Sequence, residues 1–71
     1  MKQPVTLRGF RKAAGLTQAD VAQRIGVVRQ TVASWERGTC QLRAVDVLRL
    51  ASVYRCRASD LLPALREDGG A

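Results

Sequence analysis

The sequence predicts an all-α fold, a compact bundle of about five short helices. Apolar residues recur at three- and four-residue intervals rather than alternating, and glycines fall just beyond several of these periodic stretches. No strand pattern, repeat or low-complexity segment interrupts them. The third observation is compositional. Hydrophobic content is 46% but includes only one Phe, one Trp and one Tyr, so the core must be built mainly from Val, Leu, Ile and Ala. A chain of 71 residues buries only roughly 60% of the surface its unfolded form exposes. That leaves room for a thin core and none for an enclosed active-site cleft.

Each helix has its own signals. Pro4-Val5-Thr6 opens the first, with Thr6 as N-cap, Leu7, Phe10 and Ala14 at helical spacing, and Gly15 as the stop. Thr17 caps a second helix that buries Val21, Ala22 and Ile25 and ends at Gly26, a residue free of a Cβ clash at positive φ. The third runs from about Val28 to Arg37, with Val32 and Trp35 inward and Gly38 closing it. After a polar loop from Thr39 to Arg43, the fourth places Ala44, Val47, Leu48 and Ala51 at i, i+3, i+4, i+7. A last turn or two carries Leu61, Leu62 and Leu65. Pro63 interrupts it, because proline fits the first turn of a helix and not its middle. Residues 67–71 read as a flexible, Gly-rich tail.

Charge points to a polyanionic partner. Twelve Lys and Arg, ten of them Arg, stand against six Asp and Glu for a net charge of +6. The excess is confined to the body: residues 1–57 carry eleven basic and three acidic residues, residues 58–71 one and three. Such a body suits a polyanion, although on charge alone an Arg-rich solvated surface remains open. No secretory, transit or long apolar segment is present, so a soluble, cytoplasmic protein is expected. Cys40 and Cys56 are then expected reduced, Cys40 as an exposed loop thiol and Cys56 as a small core side chain. With no histidine, the two sulfurs make neither a zinc site nor an activated nucleophile, and no cofactor is implied. The absence of a carboxylate pair or a phosphate-cradling Gly loop argues further against an enzyme.

Residues 17–38, TQADVAQRIGVVRQTVASWERG, hold most of the functional information. Two amphipathic segments are joined by Ile25-Gly26-Val27-Val28. Ala22 is small where two helices must cross closely, Gly26 makes the turn, and Val32 and Trp35 anchor the third helix. Arg29, Gln30, Thr31, Ser34 and Arg37 are left facing outward or flanking. Arg suits guanine or phosphate, Gln suits adenine, and Ser and Thr suit either base edges or phosphate. Any helical bundle also has a polar outer face, and that plainer reading competes with this one.

The order of these elements resembles the Cro/phage-repressor type helix-turn-helix domain, the lambda-repressor-like XRE family. The matching segments are Leu7-Arg8 to Gly15, Gly15-Leu16-Thr17-Gln18, Val21-Ala22, Ile25-Gly26-Val27, Thr31 to Gly38 and Leu48-Arg49-Leu50-Ala51. Together they place the domain at about 7–62, its helix-turn-helix motif at about 18–37 and its recognition helix at about 28–37. The resemblance implies double-stranded DNA as partner. It implies that Arg29, Gln30 and Ser34 face base edges, Arg29 as guanine reader, and that Val28 touches a thymine methyl. It implies backbone contacts from Gln18, which also braces the recognition helix, and from Thr31, Arg37 and Thr39, while Arg43 reaches phosphate or the minor groove. Thr17 either adds a phosphate contact or serves only as a cap. Arg11 and Glu36 occupy positions that pair between the first and third helices.

The sequence departs from the family pattern at Val28, which cannot cap the recognition helix, a change worth about 1 kcal/mol. Arg55 stands where a C-terminal Gly is common, Arg43 where a capping Ser is common, and Cys40-Gln41-Leu42 lacks the frequent Pro. One domain reads few base pairs, so a homodimer on half-sites about one helical turn apart is expected. Tyr54, Leu61, Leu62 and Leu65 form its candidate interface, and they would serve equally as core. The leading expectation is a stand-alone bacterial or phage transcriptional regulator, a repressor, too short for an attached sensor. The alternatives are an antitoxin that binds DNA and a toxin protein, and a protein–protein adaptor without DNA binding.

Overall fold

In a computed structural model, which describes the backbone of residues 4–69 and the side chains of residues 4–65, five helices follow one another. They are α1 (Leu7–Ala13), α2 (Gln18–Ile25), α3 (Arg29–Arg37), α4 (Ala44–Tyr54) and α5 (Ala58–Gly69). No strand occurs among the described residues. The caps explain where the first two helices begin. Thr6 is extended (φ −125°, ψ 158°), and its hydroxyl oxygen accepts the Gly9 N–H at 3.0 Å. At α2, Thr17 Oγ1 accepts the Asp20 N–H at 3.0 Å while Asp20 Oδ2 accepts the Thr17 N–H at 3.0 Å, a reciprocal capping box. The Thr17 backbone bond, and then its hydroxyl, hold the Asp20 carboxyl below its ordinary pKa.

Every helix contributes to one core. Leu7 and Phe10 come from α1, Val21, Ala22 and Ile25 from α2, Val32 and Trp35 from α3. Leu50, Ala51 and Tyr54 come from α4, and Leu61 and Ala64 from α5. The α2–α3 corner turns at Gly26, which adopts φ +90° and gives its N–H to the Ala22 carbonyl at 2.8 Å. Val27 donates to that same carbonyl at 3.0 Å. A side chain at position 26 would carry the left-handed penalty of roughly 1–2 kcal/mol, in a domain whose whole stability is of the order of 5–15 kcal/mol.

Three parts of the fold differ from the expectation. On α1, Ala14 is exposed and the C-cap, and the buried partner of Leu7 and Phe10 is Arg11. On α4, Ala44 and Leu48 face solvent, Leu48 at 62% exposure, and the inward face is Asp46, Leu50, Ala51 and Tyr54. Apolar residues surround α4 on several sides, so two stripes of the same spacing compete. The one containing Leu50 and Tyr54 buries more apolar surface, and burial decides. It also takes in Asp46, whose Oδ2 accepts the Arg43 N–H at 3.2 Å, the half of a capping box that runs from the third helical residue back to the cap.

The third difference is α5, which runs to Gly69 with Pro63 inside it, where one or two turns and a tail from 67 were expected. Residues 70–71 of that tail lie outside the described residues. Pro63 has no N–H for the Ser59 carbonyl, but Leu61 and Ala64 beside it are 0% and 1% exposed. Tertiary burial, rather than local propensity, sustains this helix. The same burial corrects the candidate dimer patch. Tyr54 and Leu61 are interior residues, Leu65 packs partly on the core, and only Leu62 remains well exposed. Burial, together with the nearby Glu36 charge, pushes the Tyr54 phenol above its ordinary pKa.

Arg55 ends α4 at φ 56°, ψ 48°, the one described non-glycine residue at positive φ. Left-handed backbone costs an L-residue roughly 1–2 kcal/mol, and glycine there forfeits about 0.5–1 kcal/mol of chain entropy. Arg55→Gly is therefore expected to raise the thermal midpoint by roughly 2–8 °C in a domain of this size. A lower midpoint would show that the turn does not carry this strain.

Candidate nucleic-acid interface

The candidate surface is built on α3, which starts one residue later than expected. Val28 is its extended N-cap (φ −80°, ψ 155°), makes no side-chain capping bond and is 66% exposed. Arg29, Gln30 and Arg37 are exposed, while Thr31 and Ser34 are half-buried at the edge of the same surface. Gly38 closes the helix at φ +76°. Beyond it, Thr39 returns its N–H and its hydroxyl to the Ser34 carbonyl, at 3.0 and 3.3 Å. The first loop residue after α3 is thus tied to the helix it follows.

A chain of hydrogen bonds fixes how α3 sits. Arg11 Nε donates to Glu36 Oε2 at 2.7 Å and Arg11 Nη2 to Glu36 Oε1 at 3.3 Å, a two-pronged pair with both side chains largely buried. Arg11 Nη1 also donates to the Leu16 carbonyl at 2.9 Å, which binds the α1–α2 turn to the same point. Gln18 Nε2 gives a proton to Glu36 Oε1 at 3.1 Å, and Arg29 Nη1 donates to Gln18 Oε1 at 3.1 Å. A carboxylate can only accept and a guanidinium can only donate. The Gln18 amide must therefore point its nitrogen at Glu36 and its oxygen at Arg29. The expected pairing of Arg11 with Glu36, and the bracing contact of Gln18, are both present.

The surface around this chain is strongly cationic. Arg8, Arg11, Gln18, Arg29, Ala33, Glu36 and Arg37 line an open cleft of about 490 Å³. It contains four guanidinium groups and a single carboxylate, which Arg11 already engages. Arg8 escaped the sequence reading. The signal for it was its place one helical turn before Arg11, on the same face of α1. Thr17 lies at the α2 cap, where its hydroxyl is engaged with Asp20. Thr39 lines a separate hollow of about 460 Å³ with Trp35, Cys40 and Leu42. Arg43 is outside both. Its side chain is 77% exposed, and its Nε donates to the buried Asp46 Oδ2 at 3.3 Å.

A short three-residue turn between two helices, a second helix presenting cationic and amide side chains, and a buried ion pair locking the first helix to it define a helix-turn-helix domain. The chain belongs to the helix-turn-helix domain family, whose model matches residues 5–68. An uncharacterized HTH-type transcriptional regulator of Methanothermobacter thermautotrophicus is 35% identical over 63 residues, covering 89% of this chain and 91% of that protein. Another protein of the same description, from Archaeoglobus fulgidus, is 33% identical over 55 residues, covering 78% and 79%. No solved structure gives a significant match.

Removing Glu36 would leave the Arg11 charge buried without its partner, an effect of about 3 kcal/mol or more for a well-buried pair. Glu36→Ala is expected to show that loss in urea unfolding. The paired replacement Arg11→Met with Glu36→Leu should recover most of it, because no charge is then stranded. A loss well below 1 kcal/mol in the single variant would contradict the role given to this pair.

Proposed function

We propose that the protein is a sequence-specific, double-stranded DNA-binding transcriptional regulator, a cytoplasmic repressor that occupies operator half-sites as a homodimer. The observation that carries this reading is the exposed start of α3 at Arg29 and Gln30, with Arg29 held against Gln18 at 3.1 Å. A helix braced in this way can enter the major groove with its side chains already aimed. The names of the two relatives support a role in transcription. Arg29, Gln30 and Ser34 read base edges and Val28 meets a thymine methyl. Thr17, Gln18, Thr31, Arg37, Thr39 and Arg43 fix the register on the phosphates. Of the expected dimer patch, exposed Leu62 is the residue that remains for contact with a second copy. Repression is steric, by occupation of a promoter.

The reading is tested by selecting bound sequences from a pool of random duplexes and titrating salt against the enriched site. Binding should weaken with a log–log slope of about −0.9 per phosphate contacted. Arg29→Ala should cost about 1–3 kcal/mol on that site and relax the preference at one base pair. An unenriched pool with binding insensitive to salt would rule out this function.

A further inference from the structure

We propose that Arg8 of α1 is part of the DNA-binding surface, and that the cleft between α1 and α3 seats a backbone phosphate between the Arg8 and Arg37 guanidinium groups. The inference rests on the DNA-binding reading above and extends it to a helix outside the helix-turn-helix motif. Three observations lead there. Arg8 and Arg37 are exposed residues on different helices, yet both line the cleft of about 490 Å³. Neither forms an ion pair among the described residues, where the only salt bridges join Arg11 to Glu36 and Arg43 to Asp46. And Arg29, the first residue of α3, lines the same cleft, so the cleft is continuous with the reading end of the helix.

Charge balance argues for an anion in this place. Glu36 is the one carboxylate in the cleft, and its oxygens already accept from Arg11 and Gln18. Arg8, Arg29 and Arg37 therefore gather around one concavity with no counter-charge in it. Like charges collected on a low-dielectric wall repel each other and focus a positive potential outward. A phosphate oxygen accepting from two guanidinium groups relieves that repulsion through charge-assisted bonds. Arg29 is aimed by its bond to Gln18 and is assigned above to a base edge, which leaves Arg8 and Arg37 for the phosphate. A contact from α1 would also fix the angle at which α3 enters the groove, because α1 is rigidly joined to α3 through Arg11 and Glu36.

The test is fluorescence anisotropy of the full chain with a labelled pool of random-sequence duplexes, titrated from about 50 to 200 mM salt, the span over which phosphate contacts dominate. Arg8→Ala should bind roughly tenfold more weakly at the low-salt end, as expected for loss of a bond to a charged group. Its salt slope should be shallower by about 0.9. Arg8→Lys should restore most of both. Arg24→Ala, a control on the exposed face of α2 outside the cleft, should leave less of a mark. Circular dichroism of Arg8→Ala should match the parent, since Arg8 is exposed. Inorganic phosphate at matched ionic strength distinguishes the source: competition with the duplex that is lost in Arg8→Ala supports a cleft occupied by a DNA phosphate. Phosphate that binds the parent but not Arg8→Ala by calorimetry, while leaving duplex binding unchanged, would assign the cleft to a free phosphate and overturn the proposal. If the parent binds with a steep salt dependence and Arg8→Ala matches it in affinity and slope, the assignment of Arg8 falls while the DNA-binding reading stands. If the parent itself shows no salt-dependent binding, both fall together.

Discussion

The buried pair between Arg11 and Glu36 is the constraint on which the rest of the arrangement depends. A thin core of this size fixes helix positions only loosely through apolar contact, because Leu and Val side chains tolerate small shifts. A two-pronged ion pair does not. It joins α1 to α3 at 2.7 Å, and it holds the α1–α2 turn through the Leu16 carbonyl. With those charges buried beside Tyr54, any rotation of α3 would strand one of them, and a stranded charge is costlier than a lost apolar contact. Orientation of the helix is thereby specified by electrostatics, on top of stability supplied by burial.

From that fixed point the surface follows. Glu36 accepts from the Gln18 amide nitrogen, Gln18 turns its oxygen outward, and Arg29 is held there. A side chain as long as arginine loses considerable conformational freedom when it engages a partner. One that is already positioned has less to lose on binding. The same carboxylate neutralises only Arg11, so the other guanidinium groups of the cleft project a positive field into solvent. Rigid aim and unspent charge thus come from one ion pair and its hydrogen bonds.

Much of this was legible in the sequence. Arg55 stood out at a helix end where Gly is common, its left-handed backbone being a finding of the structure. The first four helices, the caps at Thr6 and Thr17, the Gly26 turn and the inward Val32 and Trp35 follow from local chemistry and spacing. The face of α4 did not, because apolar residues on several of its sides left the choice to packing with α2 and α5. Pro63 misled for a related reason. A rule about local hydrogen bonding met a helix sustained by the burial of Leu61 and Ala64. In the candidate site, Gln18, Arg29 and Arg37 could be found because they lie inside the motif. Arg8 was missed although it stands one helical turn before Arg11: that spacing puts it on Arg11's face of α1, and only the packing of α1 beside α3 brings that face to the cleft.

The central claim is that α3, braced through Gln18 and Glu36, is the element that meets DNA. Amide chemical-shift mapping by NMR, with a duplex enriched by selection added to the labelled protein, tests it most directly. The account predicts that the largest shifts fall on residues 17–18 and 28–39, with α4 around Leu48 to Ser52 little changed. Tight binding that leaves the α3 amides unmoved and shifts the exposed side of α4 instead would contradict it.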